Sequence, residues 1–252
     1  MSATNLQNFS GDVQIRGTTF IKANTNTNNL AIGTDAGETA QGNYAVAVGY
    51  LAGQTSQANA AVAVGNLAGN TSQAGNGTAM GNSAGKLSQG GGAVAVGILA
   101  GGSNQGTYAQ AIGYQAGETG QGTETVAVGN ATGQSAQGAF STALGSLAGK
   151  TSQGTVATAI GREAGQTSQG AFAVAIGYAA GQTAQGAPSI ILNGTNAAFN
   201  STTASSFHVK PVRGGNMTAS ALSYTADGEI VEQTNIHFGS GNLGIGTAAP
   251  AS

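Results

Sequence analysis

The pattern Ala-aliphatic-Gly recurs with glycines at Gly33, Gly49, Gly65, Gly81, Gly97, Gly113, Gly129, Gly145, Gly161 and Gly177. The spacing is sixteen residues, with no slip across ten units. Repetition at a fixed short period is the signature of stacked units. Four residues after each of these glycines stands a second, from Gly37 to Gly181, and four further on a glutamine, from Gln41 to Gln185. Each interior glycine costs a helix about 1 kcal/mol, so a helical unit is disfavoured. Ala45-Val46-Ala47-Val48 reads instead as a short strand, and the glycine that ends it tolerates the positive φ of a corner. A sixteen-residue unit holds two short strands and two turns. Stacked coils pair each strand with its copies above and below, about 4.8 Å apart. The expected fold class is all-β: a β-solenoid, or parallel β-roll, of ten or so coils over residues 29–194.

Two neighbouring columns are restricted. Before each first glycine stands an aliphatic residue, from Ile32 and Val48 to Ile160 and Ile176, with Met80 and Leu144 among them. Before that stands alanine: Ala31, Ala47, Ala63, Ala79, Ala95, Ala111, Ala127, Ala143, Ala159 and Ala175. Strand neighbours point to opposite faces, so both faces read as buried. The large column is expected to fill the coil. The alanine column, Ala47 to Ala175, is expected to let another chain approach, which makes it the candidate oligomer interface.

A slower period of 64 residues also runs through the chain. It relates Tyr50, Tyr114 and Tyr178, and it relates Tyr44, Tyr108 and Phe172. Asn66 and Asn130, Thr78 and Thr142, and Lys86 and Lys150 keep the same interval. Four coils therefore form a duplicated block, about 19 Å along the stack. The six aromatics are expected on outer turns. They are candidate glycan contacts, since tyrosine offers an apolar face and a hydroxyl, although packing on the turns is the simpler reading.

Residues 1–28, with Val13, Ile15, Phe20 and Ile21, read as strands that cap the solenoid. Near the other end, Asn193 takes the place of an eleventh glycine and is expected to adopt left-handed geometry. Ile191 enters the alanine column, so the stack should widen or stop there. Residues 195–252 read as a small antiparallel β part on a separate body. Its expected features are a strand at Phe207-His208-Val209-Lys210 and a hairpin turning at Asp227-Gly228.

Composition narrows the function classes. Only 6% of residues are charged, against about 25% in ordinary domains, and 44 glycines leave few bulky side chains for a broad core. Net charge is −2, which gives no footprint for nucleic acid. The chain has no cysteine, so thiolate metal sites and thiol catalysis are out of reach. No apolar run is long enough for a membrane helix, and no secretory signal is visible.

The chemistry of a catalyst is sparse. His208 and His237 are the two histidines, and each sits in a strand-like stretch. The repeat region carries a lone aspartate, Asp35, where calcium-binding rolls need one per unit. Glu118 and Glu124 are the nearest thing to the paired acids of a glycan-cleaving spike, and they read as turn residues. Glycine-rich runs without a following helix present no phosphate site. The glutamines are expected to bond along the stack. Lys86, Lys150 and Arg162-Glu163 read as solubility devices. No enzyme activity and no cofactor are expected.

Ala47-Val48-Gly49, Ala111-Ile112-Gly113 and Ala175-Ile176-Gly177 make the units resemble the head repeats of YadA-like trimeric adhesins, over about residues 30–186. That resemblance implies a left-handed parallel β-roll. Leu243-Gly244-Ile245-Gly246-Thr247 followed by Pro250 is similar to an element of phage and giant-virus tail-fibre proteins. That element often precedes a cleavable chaperone, so a mature or shortened form is expected. Both resemblances imply a homotrimer and a role in attachment. The expected function is therefore a structural fibre of a viral or bacterial surface, on the virion or outside the cell, with an unidentified host receptor as partner, a glycan being one candidate. Two alternatives come from other classes. One is an ice-binding solenoid, prompted by the column Thr39, Thr55, Thr71, Thr151, Thr167 and Thr183. The other is a glycan-cleaving tail spike.

Overall fold

A computed structural model gives the fold, and it describes residues 13–15, 18–22, 28–212, 221–224 and 230–233. The described residues form strands and turns without a helix. Two compact units divide the chain, Met1–Pro211 and Val212–Ser252.

The first unit is a parallel β-solenoid. One sheet has fourteen strands: Val13–Ile15 and Thr18–Lys22, joined antiparallel, and then twelve parallel strands from Leu30–Ile32 to Ser206–Lys210. Thr18–Lys22 pairs antiparallel with Leu30–Ile32. Through the repeats the register holds at sixteen residues, as in Ala95↔Ala111↔Ala127. A second sheet of six parallel strands runs from Thr71–Gln73 to Thr151–Gln153. Isolated bridges extend it, through Thr39, Thr55 and Thr71 at one end and Thr151, Thr167 and Thr183 at the other.

The corners explain how so short a coil closes. Residues at three positions per coil, besides the glycines, have positive φ: in one coil Leu99 at 59°, Asn104 at 54° and Tyr108 at 55°. Left-handed geometry costs an ordinary residue about 1–2 kcal/mol. The return is a reversed N–H. Leu99 donates back to Asn82 O at 3.0 Å and Tyr108 back to Gly91 O at 2.9 Å, while strand residues such as Val94 donate forward to Ala109 O at 2.9 Å. The ladder thus continues around the bends, and backbone groups there stay paired. At the glycine ending each first-sheet strand the coils nearly touch. A Cβ on Gly81 would lie 2.6 Å from Gly97 O, at a φ of +128°.

The interior reverses the expected facing of the two columns. Ala47, Ala63, Ala79, Ala95, Ala111, Ala127, Ala143, Ala159 and Ala175 all point inward and are fully buried within the single chain. They meet a second buried alanine column, Ala36, Ala52, Ala68, Ala84, Ala100 and Ala116. The assignment of the first column to a chain–chain interface is therefore corrected. The reason is size: the two sheets close so tightly that the interior admits methyl groups and one amide per coil, and Val48 or Ile112 must face out.

That amide belongs to glutamine. Gln89 Nε2 donates to Thr78 O at 2.8 Å, to Ala93 O at 3.3 Å and to Gln105 Oε1 at 3.1 Å. Gln73 in turn donates to Gln89 Oε1 at 2.9 Å. The ladder breaks before Gln121 and before Gln153, whose Oε1 atoms have no partner. In the coils at and between these breaks, Thr125 and Ser141 stand where alanine usually does, and their hydroxyls turn back to Gly122 O and Gly138 O.

The solenoid also runs further than its sequence period. Phe207-His208-Val209-Lys210 does not belong to an antiparallel body. The strand Ser206–Lys210 pairs parallel with Ser189–Asn193, and Ile191 faces His208, seventeen residues on. Ile191 is fully buried, with Phe199 packed against its cluster. The bulkier filling accompanies one extra residue in the coil. Asn193 does not turn left-handed. Its side chain instead donates to Tyr178 O and Ala197 O, each at 2.7 Å, and so bonds the loop that closes this coil.

In the second unit Ala221–Tyr224 pairs antiparallel with Ile230–Gln233. The turn expected at Asp227-Gly228 and the segment 242–250 lie outside the described residues.

Candidate functional site

The outward side of the first sheet is the surface that most needs an explanation. Each coil contributes two side chains to it, one on either side of a buried alanine: Val46 and Val48, Val94 and Val96, Gln110 and Ile112, Val174 and Ile176. Among the exposed large hydrophobics are Met80, Ile112, Leu144 and Ile176, and further up the stack Ile190, Phe207 and Val209. Twelve strands at about 4.8 Å make a stripe about 53 Å long and 10–20 Å wide, on the order of 500–1,000 Å². Free monomers rarely expose a contiguous apolar patch above a few hundred Å².

The six sequence-selected aromatics lie at the borders of this stripe. Tyr44, Tyr108 and Phe172 come two residues before a strand, Tyr50 and Tyr114 come two residues after one, and Tyr178 directly follows Val174–Gly177. All are exposed. Packing on the turns covers the rings unevenly, leaving Tyr44 65% and Tyr178 37% exposed. Arg162 stacks on Tyr178, with the guanidinium 5.6 Å from the ring centroid, and pairs with Glu163 at 2.8 Å. Phe140 is a seventh such residue, 56% exposed with a φ of +60°, which the sequence reading passed over.

The remaining polar groups are dispersed. Glu118 accepts from Gln134 Nε2 at 2.8 Å, across to the next coil. Glu124 stands on a turn with a φ of +54°. His208 contacts Ser206 Oγ at 2.8 Å and meets Phe199 edge-on at 6.0 Å. Lys210 Nζ lies 4.4 Å from the Phe199 ring centroid. Among the described residues no three His, Cys, Asp or Glu side chains gather as a metal would require. Each coil shows one outward threonine or its substitute on the second sheet. The next residue is left-handed and the one after is the buried glutamine. A two-file threonine array does not form.

Comparison with protein-family models, with curated proteins and with solved structures gives no match.

The sequence held part of the signal for the outward stripe. Two alanine columns and one glutamine column are all small or polar enough to be inside, and one aliphatic column is left over. The missing element was coil diameter, which the period alone does not state.

Proposed function

We propose that this chain is a structural fibre element that works as a homo-oligomer, its copies packed through the aliphatic face of the first sheet. The observation that carries this reading is an unbroken aliphatic column from Ile32 to Val209, beside a second column interrupted at Thr78, Gln110, Thr142 and Thr158, on one side of a solenoid whose interior is already filled by alanine and glutamine. Folding the single chain leaves that stripe in water. Burying it at about 25 cal/mol per Å² supplies a driving force that the alanine interior supplies sparingly. Its area is comparable with the roughly 800 Å² per partner of a stable protein interface. A second copy in parallel offers the same length and the same spacing. Threefold closure follows the resemblance to trimeric adhesins and leaves no open-ended interface. Such a rigid shaft suits the projection of a virion or a bacterium toward a surface or receptor.

Light scattering on the purified protein, together with electron microscopy, tests the reading. The expected result is a mass of three chains at micromolar concentration and particles with a stiff rod of roughly 50 Å or more. A stable monomer would refute it.

A further inference from the structure

Every fourth coil, the outward row of the first sheet is closed at both ends by a ring. In Tyr44-Ala45-Val46-Ala47-Val48-Gly49-Tyr50, Ala45 and Ala47 are buried, so alternation turns Tyr44, Val46, Val48 and Tyr50 outward. The same row recurs from Tyr108 to Tyr114 and from Phe172 to Tyr178, 64 residues further on each time. Tyr44, Tyr108 and Phe172 have φ of 60°, 55° and 59°. They occupy the third position of a turn, where glycine is the relaxed choice. Gly92 fills that position one coil before Tyr108, and a Cβ on it would lie 2.7 Å from the Tyr108 ring. Ala60, Asn76, Glu124, Phe140 and Val156 share this left-handed geometry in other coils, so the turn belongs to the fold, and what sets the three aromatics apart is their exposure, 65%, 63% and 61%.

We infer that these rings are inter-chain register marks. The ring before the strand in one copy packs on the ring after the strand in its neighbour: Tyr44 on Tyr50, Tyr108 on Tyr114 and Phe172 on Tyr178. The inference rests on the self-association proposed above and specifies its axial alignment. When parallel copies surround an axis along the stack, the leading edge of one face meets the trailing edge of the next. A sixteen-residue repeat alone leaves that meeting degenerate, because a slip of one coil restores nearly the same aliphatic contacts. The 64-residue period removes the degeneracy. A one-coil slip sets Tyr44, Tyr108 and Phe172 against Asn66, Asn130 and Gly194, or in the other sense against Thr34, Ile98 and Arg162. A slip of two coils pairs a single ring, Phe140, with Tyr114 or Tyr178, and a slip of four coils, about 19 Å, pairs two, so full register alone brings three pairs together.

The natural chain has no cysteine, so introduced thiols report cleanly. Two differently tagged chains are co-expressed and oxidised. One carries Val94→Cys and the other Val96→Cys, in register, or Ile112→Cys, one coil away. A disulfide needs its Cα atoms within about 7 Å, so an offset of about 4.8 Å discriminates. The in-register pair should cross-link at least about tenfold better than the offset pair. The test background replaces Tyr44, Tyr108 and Phe172 with glycine, which relieves the left-handed strain and preserves the fold. There the oligomer mass should persist while the two yields come within about twofold of each other. Retention of the tenfold preference in that background would overturn the inference and leave self-association standing. A monomeric wild-type chain would remove the self-association reading itself. An oligomer in which neither pair cross-links would place the contact on another face and overturn the register marks.

Discussion

Gln89 sits where most solenoids would place an aliphatic side chain, and its four hydrogen bonds make it both filler and fastener. Removing it empties the space beside Ala79 and Ala95 and takes the side-chain donor from the Thr78 and Ala93 carbonyls, the second of which still accepts from Thr78 N at 2.8 Å. Gln89→Ala should lower stability by roughly 2–4 kcal/mol, as lost buried hydrogen bonds combine with a small cavity. Gln121 stands at a break in the ladder, with an unpartnered Oε1. Gln121→Ala should cost about 1 kcal/mol less. Urea midpoints of the two variants check the order, and equal losses would mean that the glutamine–glutamine contacts contribute nothing. The invariance of this column was plain in the sequence, as was its stacking along the coils. That it lies inside was not, because a lone glutamine per sixteen residues is equally at home on a solvated turn.

At the level of the coil, stability depends on which left-handed sites are forced and which are merely tolerated. Gly81, at +128°, occupies a region closed to side chains and faces the Gly97 carbonyl. Gly81→Ala should cost about 2–4 kcal/mol through strain and displacement of the neighbouring coil. Leu99, at 59°, lies in the ordinary left-handed basin. Leu99→Gly should be neutral or gain up to about 1 kcal/mol. Thermal unfolding of both separates the two kinds of corner, and similar losses would contradict the distinction. Coil boundaries, strand positions and the sixteen-residue register were legible because identical residues must stack. The facing was not, since Ala-Val-Ala-Val offers two apolar faces and only the coil's narrow bore decides which turns inward. The last coil escaped for another reason: Ile191 and Phe199 alter the filling, the spacing becomes seventeen, and the period that revealed the other coils no longer applies.

For the whole molecule, the inward alanines and the outward aliphatics make opposite demands on a negative charge. Glutamate at Ala111 would be driven into a space sized for a methyl group, between Ala95 and Ala127. Glutamate at Val96 or Val128 faces water in a single chain, so the coil can form around it. Packed against further copies, the same carboxylates are buried without partners, at a cost of about 3–5 kcal/mol each. Ala111→Glu should therefore abolish the β signal in circular dichroism, whereas the Val96→Glu, Val128→Glu pair should keep that signal and yield a monomer by light scattering. The contrast bears on fold and assembly separately. If the Ala111 variant kept its β signal and lost only its oligomer, the alanine column would be the contact face after all. If the valine pair remained oligomeric, another surface would hold the copies together. With the facing observed here, the chain uses its smallest side chains to close each coil and reserves its largest aliphatic ones for what lies outside it.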